Sequence, residues 1–201
     1  MELLEHGGWV LLTIFVLSFS AWFVIVRKWL CLRAETRGGF DWIGPALSDL
    51  HSGSPADLRT ACQDHPSLVG HVMLMALDAL ESGRDFSGRH RKRIIERETA
   101  QLRRHLDVIA AAGAVLPLLG LLGTVLGMTK TFEALTQQTA GETSAMMAGG
   151  ISEALITTQA GLVAALPVVL LHGLLSSRVR RYVDECALAM KRLESAVRTG
   201  G

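Results

Sequence analysis

The sequence predicts an all-α membrane protein: three transmembrane helices, with long helices extending into a cytoplasmic helical domain. Three observations carry this. Apolar stretches at 8–26, 108–128 and 154–175 are each long enough to approach or cross a hydrocarbon core of about 30 Å. The regions 27–107 and 176–201 hold 13 and 6 of the 20 Lys and Arg residues, leaving only Lys130 elsewhere. Apolar stripes at heptad spacing lead into the second stretch and follow the third, and no alternating strand pattern or internal repeat is present. At 49% hydrophobic residues and a mean hydropathy of +0.32, the chain is too apolar for a typical soluble domain. Its net charge of +1 implies no general affinity for nucleic acid or other polyanions.

The distribution of positive charge sets an expected topology. Arg27, Lys28 and Arg33 follow the first span, and Arg97, Arg103 and Arg104 precede the second. The positive-inside rule puts 27–107 and 176–201 in the cytoplasm, with residues 1–7 and the short 129–153 connection outside. Residues 1–7 form a stub. The first span has acidic flanks before it (Glu2, Glu5) and basic ones after it, the reverse of a secretory signal, so it reads as an anchor inserted N-end outward. Its Trp9, Phe15, Phe19, Trp22, Phe23 and Trp29 suit a lipid-facing helix with Trp near both interfaces. Ser18 and Ser20 are expected to bond their own backbone. Cys31, Cys62 and Cys186 fall in cytoplasmic segments and are expected as free thiols.

Gly38, Gly39, Gly44, Pro45, Gly53, Pro55 and Pro66 break residues 38–65 into turns and short helices. An amphipathic helix follows over 67–81, with Leu68, Val72, Met75, Ala76, Ala79 and Leu80 at helical spacing. From Arg89 to Ala112 there is neither Gly nor Pro, so the cytoplasmic helix is expected to run straight into the second span. Ile95, Thr99, Leu102, Leu106 and Ile109 stripe its soluble part. After the third span, Val179, Val183, Cys186, Met190, Leu193 and Val197 continue at heptad spacing, so the two helices are expected to pack beyond the lipid. Gly200-Gly201 reads as a frayed end.

Small residues mark the second span. Gly113, Gly120, Gly123 and Gly127 remove side-chain volume where helices pack in lipid, and Gly123 with Gly127 forms a GxxxG pair. Pro117 lies in the same span, and Gly161 and Pro167 lie in the third. The third span also carries Thr157, Thr158 and Gln159, with Glu153 at its outer end. Counted at 1.5 Å per residue, Thr124 is about 24 Å from the cytoplasmic end of the second span and Thr158 about 6 Å from the outer end of the third. Both therefore lie in the outer half at similar height. That supports one polar ring, against the alternative of two threonines that merely bond their own helices.

No constellation suggests catalysis by this chain, and it reads as a non-enzyme needing no cofactor or metal. Gly120 to Thr124 lacks the Lys of a phosphate loop. Cys62, His65 and His71 fit no zinc spacing. His172 is assigned to interfacial packing. The run Arg89-His90-Arg91-Lys92-Arg93 is a solvated basic face, with anionic lipid as its second reading. A proton path normally uses Asp, Glu or His, and no span has one at its centre; if the spans form such a path, the titrating carboxyl must come from another chain.

Two ordered motifs resemble the MotA/TolQ/ExbB proton-channel family: Pro117 to Thr124, and Gly150-Ile151-Ser152-Glu153-Ala154-Leu155 followed by Thr158 and Gly161 to Pro167. The resemblance is close over the second half of the chain and topological over the first. It implies a homo-oligomeric ring, a pentamer, around a dimer of single-span ExbD-like or TolR-like partners whose membrane Asp faces threonines matching Thr124 and Thr158. Glu153 matches a family glutamate. Thr157 and Gln159 stand where ExbB-like chains commonly have smaller apolar residues. The implied function is an inner-membrane proton-channel subunit that uses the proton-motive force to energise TonB-dependent transport, working with a TonB-like transducer. The N-terminus would be periplasmic and the C-terminus cytoplasmic. The short stub and Thr157-Thr158 lean towards ExbB. A TolQ-type subunit for envelope integrity or constriction stays open as an alternative, as does a passive membrane scaffold.

Overall fold

The computed structural model describes residues 2–35, 42–45, 55–64, 67–82, 88–136 and 143–199. Among them all regular structure is helical. Helix α1 spans Glu2–Glu35, α2 Pro55–Asp64, α3 Leu68–Glu81, α4 Gly88–Arg103, α5 Leu106–Thr136 and α6 Thr143–Thr199. Helices α1, α5 and α6 are long and apolar enough to cross a membrane. The turns expected around Gly38, Gly39, Gly53 and Pro66, and the end at Gly200-Gly201, lie outside the described residues. The chain divides into two compact units, Met1–Lys28 with His105–Leu175, and Trp29–Arg104 with Ser176–Gly201.

In the first unit, α1 buries Leu11, Ile14, Ala21, Ile25 and Lys28, a face repeating every three or four residues. Trp9, Phe15, Phe19 and Phe23 point outward from it. Ser20 donates to the Val16 carbonyl at 2.8 Å, the back-bond expected of a serine in an apolar helix. Gly8 interrupts the helical backbone with φ 57 and ψ −165, so the stub and the span are two helical pieces joined at a glycine. Helices α5 and α6 each carry a proline within them, Pro117 and Pro167. Proline removes a backbone donor, and membrane helices accommodate this when neighbours take up the freed carbonyl. Both helices reach into the 129–153 segment, α5 to Thr136 and α6 from Thr143.

The second unit is a small helical domain. Ser67 caps α3: its hydroxyl oxygen accepts from the Gly70 amide at 3.2 Å. The buried face of α3 is Val69, Val72, Met73, Ala76, Leu77 and Ala79. It is turned slightly from the expected one, leaving Leu68 and Met75 half-buried. Helix α3 packs on α2 and on α4. Arg59 of α2 joins Asp78 at 2.6 Å and Glu81 at 3.0 Å on α3. Ile95, Thr99 and Leu102 of α4 are buried, and the Thr99 hydroxyl donates to the Ile95 carbonyl at 2.6 Å. On α6, Val179, Tyr182, Cys186, Met190 and Leu193 are buried, and Glu194 pairs with Arg91 of α4.

The expected straight run from Arg89 into the second span is not what forms. The helix ends at Arg103 and restarts at Leu106, with His105 at φ 71. No Gly or Pro announces this break. Histidine is one of the few non-glycine types enriched in the left-handed region, so a single residue there interrupts the helix. The stripe survives the break, since Ile95, Thr99, Leu102, Leu106 and Ile109 are all buried.

Candidate functional site

The glycines of the second span meet α6 along one seam. A Cβ added at Gly113 would lie 2.9 Å from a Val169 methyl. One at Gly120 would lie 3.2 Å from the Thr158 Cα, and one at Gly161 would lie 2.8 Å from the Leu116 carbonyl and 3.0 Å from the Gly120 Cα. At Gly123 it would overlap the Thr157 side chain, and at Gly127 it would lie 2.6 Å from the Gly150 carbonyl. Partners on α6 fall in number as those on α5 rise, so the two helices form an antiparallel hairpin. Without side chains at these points, their backbones approach within direct contact, which is how apolar helices gain dispersion energy in lipid. Four of the residues assigned to packing, Gly120, Gly123, Gly127 and Gly161, lie in this seam within a single chain. Pro117 and Pro167 are half-buried beside it.

The five polar residues do not share one environment. Thr157 is fully buried in the seam against Gly123, and its hydroxyl has the Glu153 and Ala154 carbonyls at 2.9 and 3.0 Å. That is a packing position, with no free surface on which to line a path. Thr158, one residue on, is half-buried; its hydroxyl reaches across to the Gly120 carbonyl at 3.1 Å, with the Ala154 carbonyl of its own helix also at 3.1 Å. Thr124 is half-buried and donates to the Leu121 carbonyl at 2.6 Å. Gln159 is exposed. Gly120 is the helical acceptor for the amide of Thr124, so the Thr158 hydroxyl sits at the level of the 120–124 turn.

Glu153 is held differently. Both of its carboxylate oxygens accept from the Lys130 ammonium, at 2.6 and 2.8 Å. Its side chain is 17% exposed and that of Lys130 56%. Gly8 of α1 lies directly over this carboxylate: a Cβ there would stand 2.5 Å from Oε1, on a backbone whose φ of 57 already disfavours a side chain. The pair thus joins α5 to α6 where α1 begins its apolar run.

Residues 65–187 match the family model for the MotA/TolQ/ExbB proton channel family. The chain belongs to this family. The Tol-Pal system protein TolQ of Pseudomonas aeruginosa is 32% identical over 181 residues, covering 84% of this chain and 78% of that protein. The biopolymer transport protein ExbB of Neisseria meningitidis serogroup B is 28% identical over 194 residues, 86% of this chain and 84% of the relative. The ExbB of Salmonella typhimurium is 36% identical over 92 residues, only 37% of that protein. MotA/TolQ/ExbB relatives of both names match over most of the chain, so identity does not separate an ExbB from a TolQ. Three apolar helices and this membership make the chain a multi-pass membrane protein.

Lys130, Gly8, Gly150 and Thr131 escaped the sequence reading as site neighbours. Lys130 had a visible signal: it is the one Lys or Arg outside the two basic regions, and it flanks the second span at the end where Glu153 flanks the third. Thr131 is buried, donates to the Gly127 carbonyl at 3.0 Å and occupies the notch at Gly150. Its seam position follows from a spacing of four from Gly127. For Gly8 nothing in the sequence marked a positive φ. Of the suggested metal residues, Cys62 is buried, His71 lies 3.7 Å from Glu98, and His65 is outside the described residues.

Proposed function

We propose that the chain is the ring-forming subunit of a proton-driven inner-membrane motor, in which Thr124 and Thr158 serve a carboxyl group brought by a single-span partner. The observation that carries this is the state of the two hydroxyls. Each spends its proton on a backbone carbonyl. Each keeps lone pairs that can accept a hydrogen bond. A protonated partner carboxylic acid is a donor, and would be held there in its neutral form. Passing that proton on to water would leave a carboxylate facing two oxygens whose own hydrogens are held by backbone carbonyls, a strong reason for it to move on. Glu153, already charge-paired with Lys130, is on this reading a fixed clamp at the outer end of the site, and Gln159 is an exposed neighbour. Thr157 supports the hairpin.

The assembly is a homo-oligomeric ring, a pentamer around an ExbD-like dimer, with the N-terminus periplasmic and the C-terminus cytoplasmic. It energises TonB-dependent transport through a TonB-like transducer. Each charge crossing the membrane supplies about 2.3 kcal/mol per 100 mV. The TolQ-type alternative, acting on envelope integrity with a TolR-like partner, has its own support in the Pseudomonas relative. Co-expression with each candidate partner decides: an ExbD-like protein should co-purify at a fixed ratio and confer proton flux in liposomes. Capture of a TolR-like partner alone would replace the transport role with the constriction role. Capture of neither, with no flux, would leave a passive scaffold.

A further inference from the structure

The second unit contains a basic trough unconnected with the proton path. Helix α1 contributes Trp29 and Arg33, four apart, and the Arg33 guanidinium lies 5.2 Å from the Trp29 ring centroid. Helix α6 contributes Arg178, Arg181 and Glu185 on one face, at spacings of three and four. Together they enclose about 460 Å³ over a floor formed by the buried Leu32 and Tyr182. Three arginines and one glutamate line it. Among the described residues neither Arg178 nor Arg181 is ion-paired, whereas Arg91 is already taken by Glu194.

We infer that this trough binds the phosphate-bearing headgroup of an anionic glycerophospholipid from the cytoplasmic leaflet. Depth is the first argument. Trp29 follows the last residue of the first apolar run, Val26, by about 4.5 Å of helix rise, and Arg178 follows Leu175 by the same distance. The headgroup layer adds about 5–7 Å to each side of the hydrocarbon core, which places Trp29 and Arg178 at headgroup level. Arg181 and Arg33 stand about 9 and about 10.5 Å past the apolar runs, within reach of that layer by their long side chains. Chemistry is the second. Guanidinium forks match phosphate oxygens in pairs, and an indole at an interface packs against glycerol and the first acyl carbons. The inference rests on the membrane-spanning reading of α1 and α6 and, for the leaflet, on the proposed orientation; it is independent of the pore.

Native mass spectrometry of the full chain in mild detergent, with phosphatidylglycerol and phosphatidylcholine added in equal amounts, tests it. The wild type should retain phosphatidylglycerol at least about tenfold over phosphatidylcholine. Arg178→Gln with Arg181→Gln should remove most of that preference at unchanged helicity, and Glu185→Gln should strengthen it. Equal phosphatidylglycerol retention by the double variant would overturn the site. Should the double variant lose helicity, an unchanged preference in Glu185→Gln would overturn it as well. Millimolar glycerol 3-phosphate should leave the lipid in place; displacement by it would mean a soluble-phosphate site and would overturn the lipid assignment. Failure here leaves proton flux untouched, and failure of the proton path leaves lipid retention untouched.

Discussion

The hydroxyl of Thr158 donates across the hairpin to the carbonyl of Gly120, 38 residues earlier, at 3.1 Å. The contact exists because Gly120 has no side chain to hold the helices apart, so packing and polarity at this level are one feature. The seam that brings α5 and α6 together also fixes where the threonines stand.

Seam glycines should be intolerant of a methyl group in proportion to the space denied. In an open helix Gly→Ala gains up to about 1 kcal/mol of propensity. Gly149 has nothing within 4 Å of an added Cβ, so Gly149→Ala should be neutral or mildly stabilising. Gly123→Ala drives a methyl into Thr157 and should destabilise by about 1–3 kcal/mol. Thermal unfolding in detergent compares them. Equal melting temperatures for the two variants would remove the seam argument.

The Lys130–Glu153 pair should act as a clamp. Lys130→Met strands a carboxylate that is mostly buried. The cost should fall between that of an exposed and a buried pair, about 1–3 kcal/mol. Adding Glu153→Gln should recover much of it, giving a coupling of about 1 kcal/mol or more in a double-mutant cycle. Additive effects would show that the two charges act separately.

Much of this architecture was legible in residue order. Three long apolar runs and the stripes around Ile95 and Cys186 are properties of hydrophobic periodicity, which reports helices directly. The Gly120–Gly161 and Gly123–Thr157 contacts were half legible: the glycines announced a seam but not its register, because any small-residue face can slide by a turn. The break at His105 was illegible, since no Gly or Pro marks it and histidine only occasionally adopts a left-handed conformation. Thr157 and Thr158 differ by one position, and 100° of helix rotation puts one in the seam and the other at its edge. Only the register of the hairpin decides which.

Native thiols cannot report topology here. Cys62 is 2% exposed and Cys186 fully buried, so each should resist reagents on either side of a membrane. Burial also pushes the Cys62 thiol up to about 11, leaving little thiolate at pH 8. In detergent, the exposed Cys31 should label well before Cys62 and Cys186, which should react only on denaturation. With all three replaced, Ser144→Cys should label with an impermeant reagent on intact spheroplasts and Ser195→Cys should not; both positions are exposed. The opposite pattern would invert the proposed orientation.

Thr158→Val separates a motor from a scaffold. Valine keeps the shape and removes the hydroxyl. The bond lost to Gly120 is worth about 0.6 kcal/mol in an average membrane helix pair, so the hairpin should still form. If the hydroxyl only ties helices, partner-dependent proton flux should be nearly unchanged. If its oxygen accepts from the partner's carboxylic acid, one hydrogen bond is missing from the transfer step. A loss of about 1.4 kcal/mol there slows flux about tenfold at an unchanged oligomer count. Thr158→Ser restores an acceptor oxygen and should restore flux. Thr124→Val should behave like Thr158→Val, and the double variant should be no slower than the slower single, because both residues serve one carboxyl. The measurement is flux in liposomes at fixed potential, with chains counted by native mass spectrometry. Full flux through an intact Thr158→Val assembly would remove this residue from the path.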